Sequence, residues 1–186
     1  MKQTLTKENL LKAGLILGMI AFAVVGRMAP HPDNFAPIAA LGMLGGYLFA
    51  SRKYGLTIVM TAMLLSDLII GIESIEMRLA VYGGLMVAVL AGGILRSAKE
   101  NRSFFLGLPL ASVGSSLAFF AISNFAVWAF SGMYTLSLEG MILCYVNAIP
   151  FFWNTLAGDL IYSGMLLGAV RLTQIYLDRR SVLARI

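Results

Sequence analysis

Two aspartates, Asp67 and Asp159, lie inside long apolar runs, and the only histidine of the chain, His31, lies between two such runs. Carboxylates at that depth are costly and mark a binding or catalytic centre, unless they cap or bridge helices. Around His31 the segment Arg27-Met28-Ala29-Pro30-His31-Pro32-Asp33-Asn34-Phe35-Ala36-Pro37 is polar and holds three of the five prolines, so it cannot be helical throughout. Two membrane carboxylates on different helices meet the minimum chemistry of an aspartyl protease, one activating water while the other protonates the leaving group. The residue context differs from that of such proteases: Ser66 precedes Asp67, and Leu156 stands where the second motif has its first glycine. No phosphate loop of the GxxxxGK[ST] type, GxSxG elbow, HExxH or GxGxxG is present, so the chain is read as a non-enzyme with no ATP hydrolysis of its own.

The elements that must position these groups are membrane helices. The 186 residues are 59% hydrophobic and 12% charged, with a mean hydropathy of +0.84. That leaves too little polar surface for a water-soluble globule. The reading is an all-α integral membrane bundle, a single domain over 1–186 with six transmembrane helices near 10–26, 35–50, 54–71, 79–95, 104–130 and 151–173. The second run is short. Counted from an inside N-terminus, Lys2, Lys7, Lys12, Arg52, Lys53, Arg96, Lys99, Arg102, Arg171, Arg179, Arg180 and Arg185 fall in the cytoplasm, and only Arg27 and Arg78 fall outside. This bias puts both termini inside and reads the second run as a span instead of a re-entrant segment. The net charge of +5 is thereby spent on topology, and no basic stripe for nucleic acid remains. The first helix continues to Gly26 and is read as uncleaved in spite of a signal-like start. A single cysteine without CxxC or paired His/Cys spacing excludes an internal disulfide and a protein-only zinc site.

Under this topology the polar groups gather on the outer side: His31, Asp33, Asn34, Asp67, Glu73, Glu76, Arg78, Asn124, Tyr134, Glu139, Tyr145, Asn147, Asn154 and Asp159, with Trp128 and Trp153 at the rim. The inner halves are almost wholly apolar. That pattern predicts a cavity open to the outside, as a solute receptor requires. The expected binding residues are His31, Asn34, Asp67, Asn124, Trp128, Asn147, Trp153, Asn154 and Asp159, with Asn34 capping the second helix. Trp128 and Trp153 fit an interfacial aromatic belt equally, and Cys144 reads as a packed small hydrophobe. Small residues four apart (Gly14 and Gly18, Gly42 and Gly46, Gly84, Ala88 and Gly92, Gly164 and Gly168) predict close helix contacts, with the first helix the exception that suits a partner subunit.

The strings His31-Pro32-Asp33-Asn34-Phe35-Ala36-Pro37-Ile38, Ser66-Asp67-Leu68, Ser123-Asn124-Phe125-Ala126-Val127-Trp128 and Pro150-Phe151-Phe152-Trp153-Asn154-Thr155-Leu156-Ala157-Gly158-Asp159-Leu160 resemble those of an uncharacterised bacterial six-helix membrane family. That family in turn resembles the S components of energy-coupling factor transporters. The resemblance implies a substrate-binding uptake protein of the bacterial cytoplasmic membrane for a vitamin-like molecule, cobalamin within that class. It implies outer loops Arg27–Asn34, Glu73–Arg78 and Ser131–Pro150 closing over the ligand, and an ATPase and coupling module docking on helix one. Helix one offers Gly14 and Gly18 where S components carry AxxxA, which leaves room for the stand-alone type. In that type a cysteine can ligate cobalt, but no motif carries the role onto Cys144. A purely structural membrane subunit is the remaining alternative. No cofactor is expected.

Overall fold

The computed structural model describes residues 6–71 and 74–183, and the expected loop residue Glu73 lies outside them. Six helices follow one another: α1 (Lys7–Met28), α2 (Ile38–Leu48), α3 (Arg52–Ile70), α4 (Ile75–Leu95), α5 (Asn101–Phe130) and α6 (Leu138–Leu183). No strand occurs among the described residues. All except α2 are long and apolar enough to cross a membrane. Their exposed Leu, Ile, Phe and Val side chains form the surface that a bilayer would cover.

Local chemistry sets the helix ends. The Thr6 side chain accepts from the Asn9 N–H and starts α1, where Lys12 pairs with Glu8 one turn away. Ala29 ends that helix in an extended conformation, as a residue before proline must. Helix α2 has only 11 residues, about 16 Å of rise against a hydrocarbon core of about 30 Å. Helix length alone therefore does not carry the expected second span. Its N-cap is Pro37 with no side-chain bond, so Asn34 does not cap it. Asn34 instead takes a left-handed turn conformation at φ 64°.

Helix α2 is the centre of the bundle. Nine of its residues, from Ile38 to Tyr47, are buried. Glycines bring its backbone against both neighbours: a Cβ on Gly46 would collide with the Val89 carbonyl of α4, one on Gly92 with the Met43 carbonyl of α2, and one on Gly45 would lie 2.8 Å from the Gly55 Cα of α3. The small-residue pairs on α2 and α4 are thus a packing seam. Gly14, Gly18, Gly164 and Gly168 face open space.

Helix α6 departs most from expectation. It starts at Leu138, not near Phe151, and carries Pro150 in its interior. Only residues 131–137 connect α5 to it, so no long outer loop spans Ser131–Pro150. Proline removes one backbone bond and strains a helix; in a bundle, neighbours offset that loss. Likewise Glu76 and Arg78 belong to the first turn of α4 and not to a loop.

Candidate functional site

Helices α1 and α3 end where α2 and α4 begin, and at that end the bundle opens into a cavity of about 880 Å³. Its walls combine charged groups from five segments with an apolar lining that includes Met63, Val81, Leu85, Phe119 and Phe151. The volume suits a drug-sized organic molecule.

One carboxylate organises one side of the cavity. Arg27, in the last turn of α1, donates from Nη1 to Asp67 Oδ1 at 2.5 Å and to Ser66 Oγ at 2.5 Å. Tyr82, one turn after Arg78 on α4, donates its hydroxyl to Asp67 Oδ2 at 2.8 Å. Arg78 Nε stands 3.9 Å from the same oxygen, an ion pair but too long for a hydrogen bond. Two arginines thus share one carboxylate that is already engaged by Arg27 and Tyr82. Arg78 Nε and Nη2 are buried and have no hydrogen-bond partner.

The second carboxylate is separate. Asp159, buried on α6, accepts from Ser116 Oγ at 2.6 Å. The same hydroxyl lies 3.0 Å from the Ser112 carbonyl, and one turn deeper Ser112 Oγ meets Ser163 Oγ at 2.6 Å. This serine seam joins α5 to α6 and corrects the expectation of an almost wholly apolar interior below the polar side. Ser116→Ala is expected to leave Asp159 without its donor and to lower stability by about 1 kcal/mol, measurable by thermal unfolding in detergent.

The loop before α2 closes another part of the cavity. His31 sits between two backbone carbonyls, Nδ1 at 2.8 Å from Pro32 O and Nε2 at 3.1 Å from Arg27 O, so it shapes the turn that presents Asp33 and Asn34. Phe35 then packs on α6 against Gly158 and Tyr162, beside Asp159.

Of the residues expected to bind, His31, Asn34, Asp67 and Asp159 line this cavity. The other five lie off its lining. Asn124 donates to the Phe120 carbonyl of its own helix, Trp128 to the Thr135 carbonyl, and Asn147 to the Tyr134 hydroxyl at 3.4 Å. Trp153 is 61% exposed and Asn154 half-buried. Cys144 is packed at 2% exposure, its thiol 3.5 Å from the Asn124 carbonyl. Among the described residues no group of three or more His, Cys, Asp or Glu side chains is placed to hold a metal ion. Sequence reasoning missed Arg27, Arg78, Tyr82 and Thr155 as lining residues. The available signal was that Arg27 and Arg78 are the two cations set against the positive-inside bias.

No curated protein and no solved structure matches the chain. A family model does match, over residues 7–180, nearly the whole length and every element that builds the cavity. The chain belongs to the family of unknown function DUF6580.

Proposed function

We propose that this chain is a multi-pass protein of a bacterial cytoplasmic membrane that binds a vitamin-like small molecule in the cavity described above and serves its uptake. The observation that carries the reading is an 880 Å³ cavity at one end of the bundle, combining charged side chains with aromatic and aliphatic walls. The likeness of its expected six-helix, positive-inside organisation to energy-coupling factor S components supports the same reading. So does α1, which leaves Leu10, Leu11, Leu15, Leu17 and Phe22 exposed and Gly14 and Gly18 unobstructed, a face suited to lipid or to a coupling subunit. Paired-acid proteolysis is less well supported, since Asp67 is tied to Arg27 and Tyr82 while Asp159 is tied to Ser116.

In the proposed orientation the cavity faces outward, with six passes and both termini in the cytoplasm. A cysteine placed at Ser51, in the turn between α2 and α3, tests it. Ser51 makes no side-chain capping bond and the native Cys144 is buried, so Ser51→Cys is expected to fold normally and label cleanly. A membrane-impermeant thiol reagent should modify it only in opened cells. Modification in intact cells would overturn the orientation. Binding itself is tested by titrating the purified protein with a panel of vitamins: saturable one-to-one binding is expected, and no binding to any member would count against the receptor reading.

A further inference from the structure

We propose that the ligand carries an anionic group, a carboxylate or a phosphate, received by Arg78 with help from Arg27, while Asp67 positions the two arginines without itself recognising the ligand. This inference rests on the receptor reading and narrows its substrate class.

The argument begins with the guanidinium of Arg78. It is always protonated and offers five donors, and here its side chain is 17% exposed at the cavity wall. Its Nε and Nη2 have no hydrogen-bond partner, and its ion-pair partner Asp67 stands 3.9 Å away. Arg27 bonds one oxygen of Asp67 and Tyr82 the other, and Arg78 stands beyond hydrogen-bond distance of both. A partly buried guanidinium with unmade bonds is costly, and its exposed portion at the cavity wall is free to receive an acceptor from the cavity.

The surroundings state the charge of that acceptor. Among the described residues that line the α3–α4 end of the cavity, two guanidinium groups face one carboxylate. The first turn of α2, Ile38 and Ala39, also lines the cavity, and no side chain caps that N-terminus. Its free N–H groups add positive potential. Among the described residues, the other carboxylates on the lining are Asp33, exposed in the loop, and Asp159, bonded to Ser116 on α5; Glu76, in the same turn as Arg78, is exposed and off the lining. Between these ends lie Val81, Leu85, Phe119 and Phe151, so the ligand is an organic anion with an apolar body, not a bare inorganic ion.

The test uses the full chain in a detergent free of anionic lipid. Calorimetric titration compares acids with their uncharged partners: nicotinate with nicotinamide and pantothenate with pantothenol for the carboxylate arm, pyridoxal phosphate with pyridoxal and riboflavin phosphate with riboflavin for the phosphate arm. A third arm adds phosphatidylglycerol or phosphatidylcholine to the micelles and follows the melting temperature, since a lipid headgroup offers the same chemistry as a free phosphate. At least one anion is expected to bind about 10-fold or more tighter than its neutral partner, as loss of a charge-assisted hydrogen bond implies. Arg78→Gln should lose that preference, and Arg78→Lys should restore part of it. Without ligand, Arg78→Gln should melt at the wild-type temperature or above it, because it removes an unsatisfied charge.

Neutral and anionic partners binding equally to wild type and Arg78→Gln would overturn the anion assignment while leaving the receptor reading intact. Stabilisation only by phosphatidylglycerol, dependent on Arg78, would keep the anion site and overturn uptake of a soluble ligand. Binding by none of the probes would overturn both. A lower ligand-free melting temperature for Arg78→Gln would make Arg78 a structural residue and overturn the assignment by itself.

Discussion

Asp67→Asn is expected to lower the unfolding free energy by about 3 kcal/mol, the low end of the cost of breaking a buried ion pair, because Arg27 retains 24% side-chain exposure. The substitution keeps the shape but only one of the two acceptor oxygens that Arg27 and Tyr82 use, and it leaves two guanidinium groups without a counter-charge. Four segments meet at this carboxylate or line the cavity beside it: the end of α1, the end of α3, the first turns of α4, and the loop whose His31 bonds the Arg27 carbonyl. Loss of ligand affinity should therefore accompany loss of stability. The sign of the effect is diagnostic. If charge balance is the cause, adding Arg78→Gln to Asp67→Asn should recover part of the stability, since it removes one of the two uncompensated cations. Chemical unfolding of the four proteins of this double-mutant cycle measures it. A double variant no more stable than Asp67→Asn would mean that the carboxylate acts through hydrogen-bond shape alone.

The second large effect concerns the seam between α2 and α4. Gly92→Ala and Gly46→Ala each place a methyl group against a carbonyl of the facing helix, where backbone and not a flexible side chain would have to move. Overpacking of this kind costs about 1–3 kcal/mol, and contact with backbone puts these two at or above the upper limit. The double variant should not assemble a native bundle. Gly14→Ala is the matched control, as nothing lies within 4 Å of its would-be Cβ. It should stay within about 1 kcal/mol of wild type or gain slightly from helix propensity. Equal losses at Gly14 and Gly92 would contradict the packing of α2 at the centre.

Much of this fold is legible in the sequence because apolar runs of membrane length, broken by charged turns, have few other solutions. The glycine pairs on α2 and α4 are legible for a related reason: a Gly-x-x-x-Gly face has little to offer except close approach. Two features are not. Proline at position 150 signals a boundary by its own chemistry, and only the neighbouring helices make it tolerable within α6. The second run reads as short, but the start of α2 at Ile38 is hidden, since the apolar residues before it continue the hydropathy pattern although Pro37 starts the helix.

The site divides in the same way. Depth along a helix can be counted, so Asp67 and Asp159 could be placed on the polar side; the azimuth that turns a side chain toward a cavity cannot. Asn124 shows the difference, for it lies at a comparable depth yet spends its amide on the carbonyl one turn back. In the sequence Arg27 and Arg78 stand as the two outside cations, at the bounds of two expected outer loops, and nothing there pairs them. Their pairing through Asp67 depends on residues 27, 67 and 78 meeting from three helices, which no local pattern encodes.

Native mass spectrometry of the full-length protein, extracted gently and kept in mild detergent, tests the central claim most directly. A receptor with a mixed polar and apolar site is expected to retain one small molecule per chain, released by collisional activation and diminished by Arg78→Gln. A protein that emerges empty from every preparation, and takes up no member of a vitamin panel added before ionisation, would contradict the account.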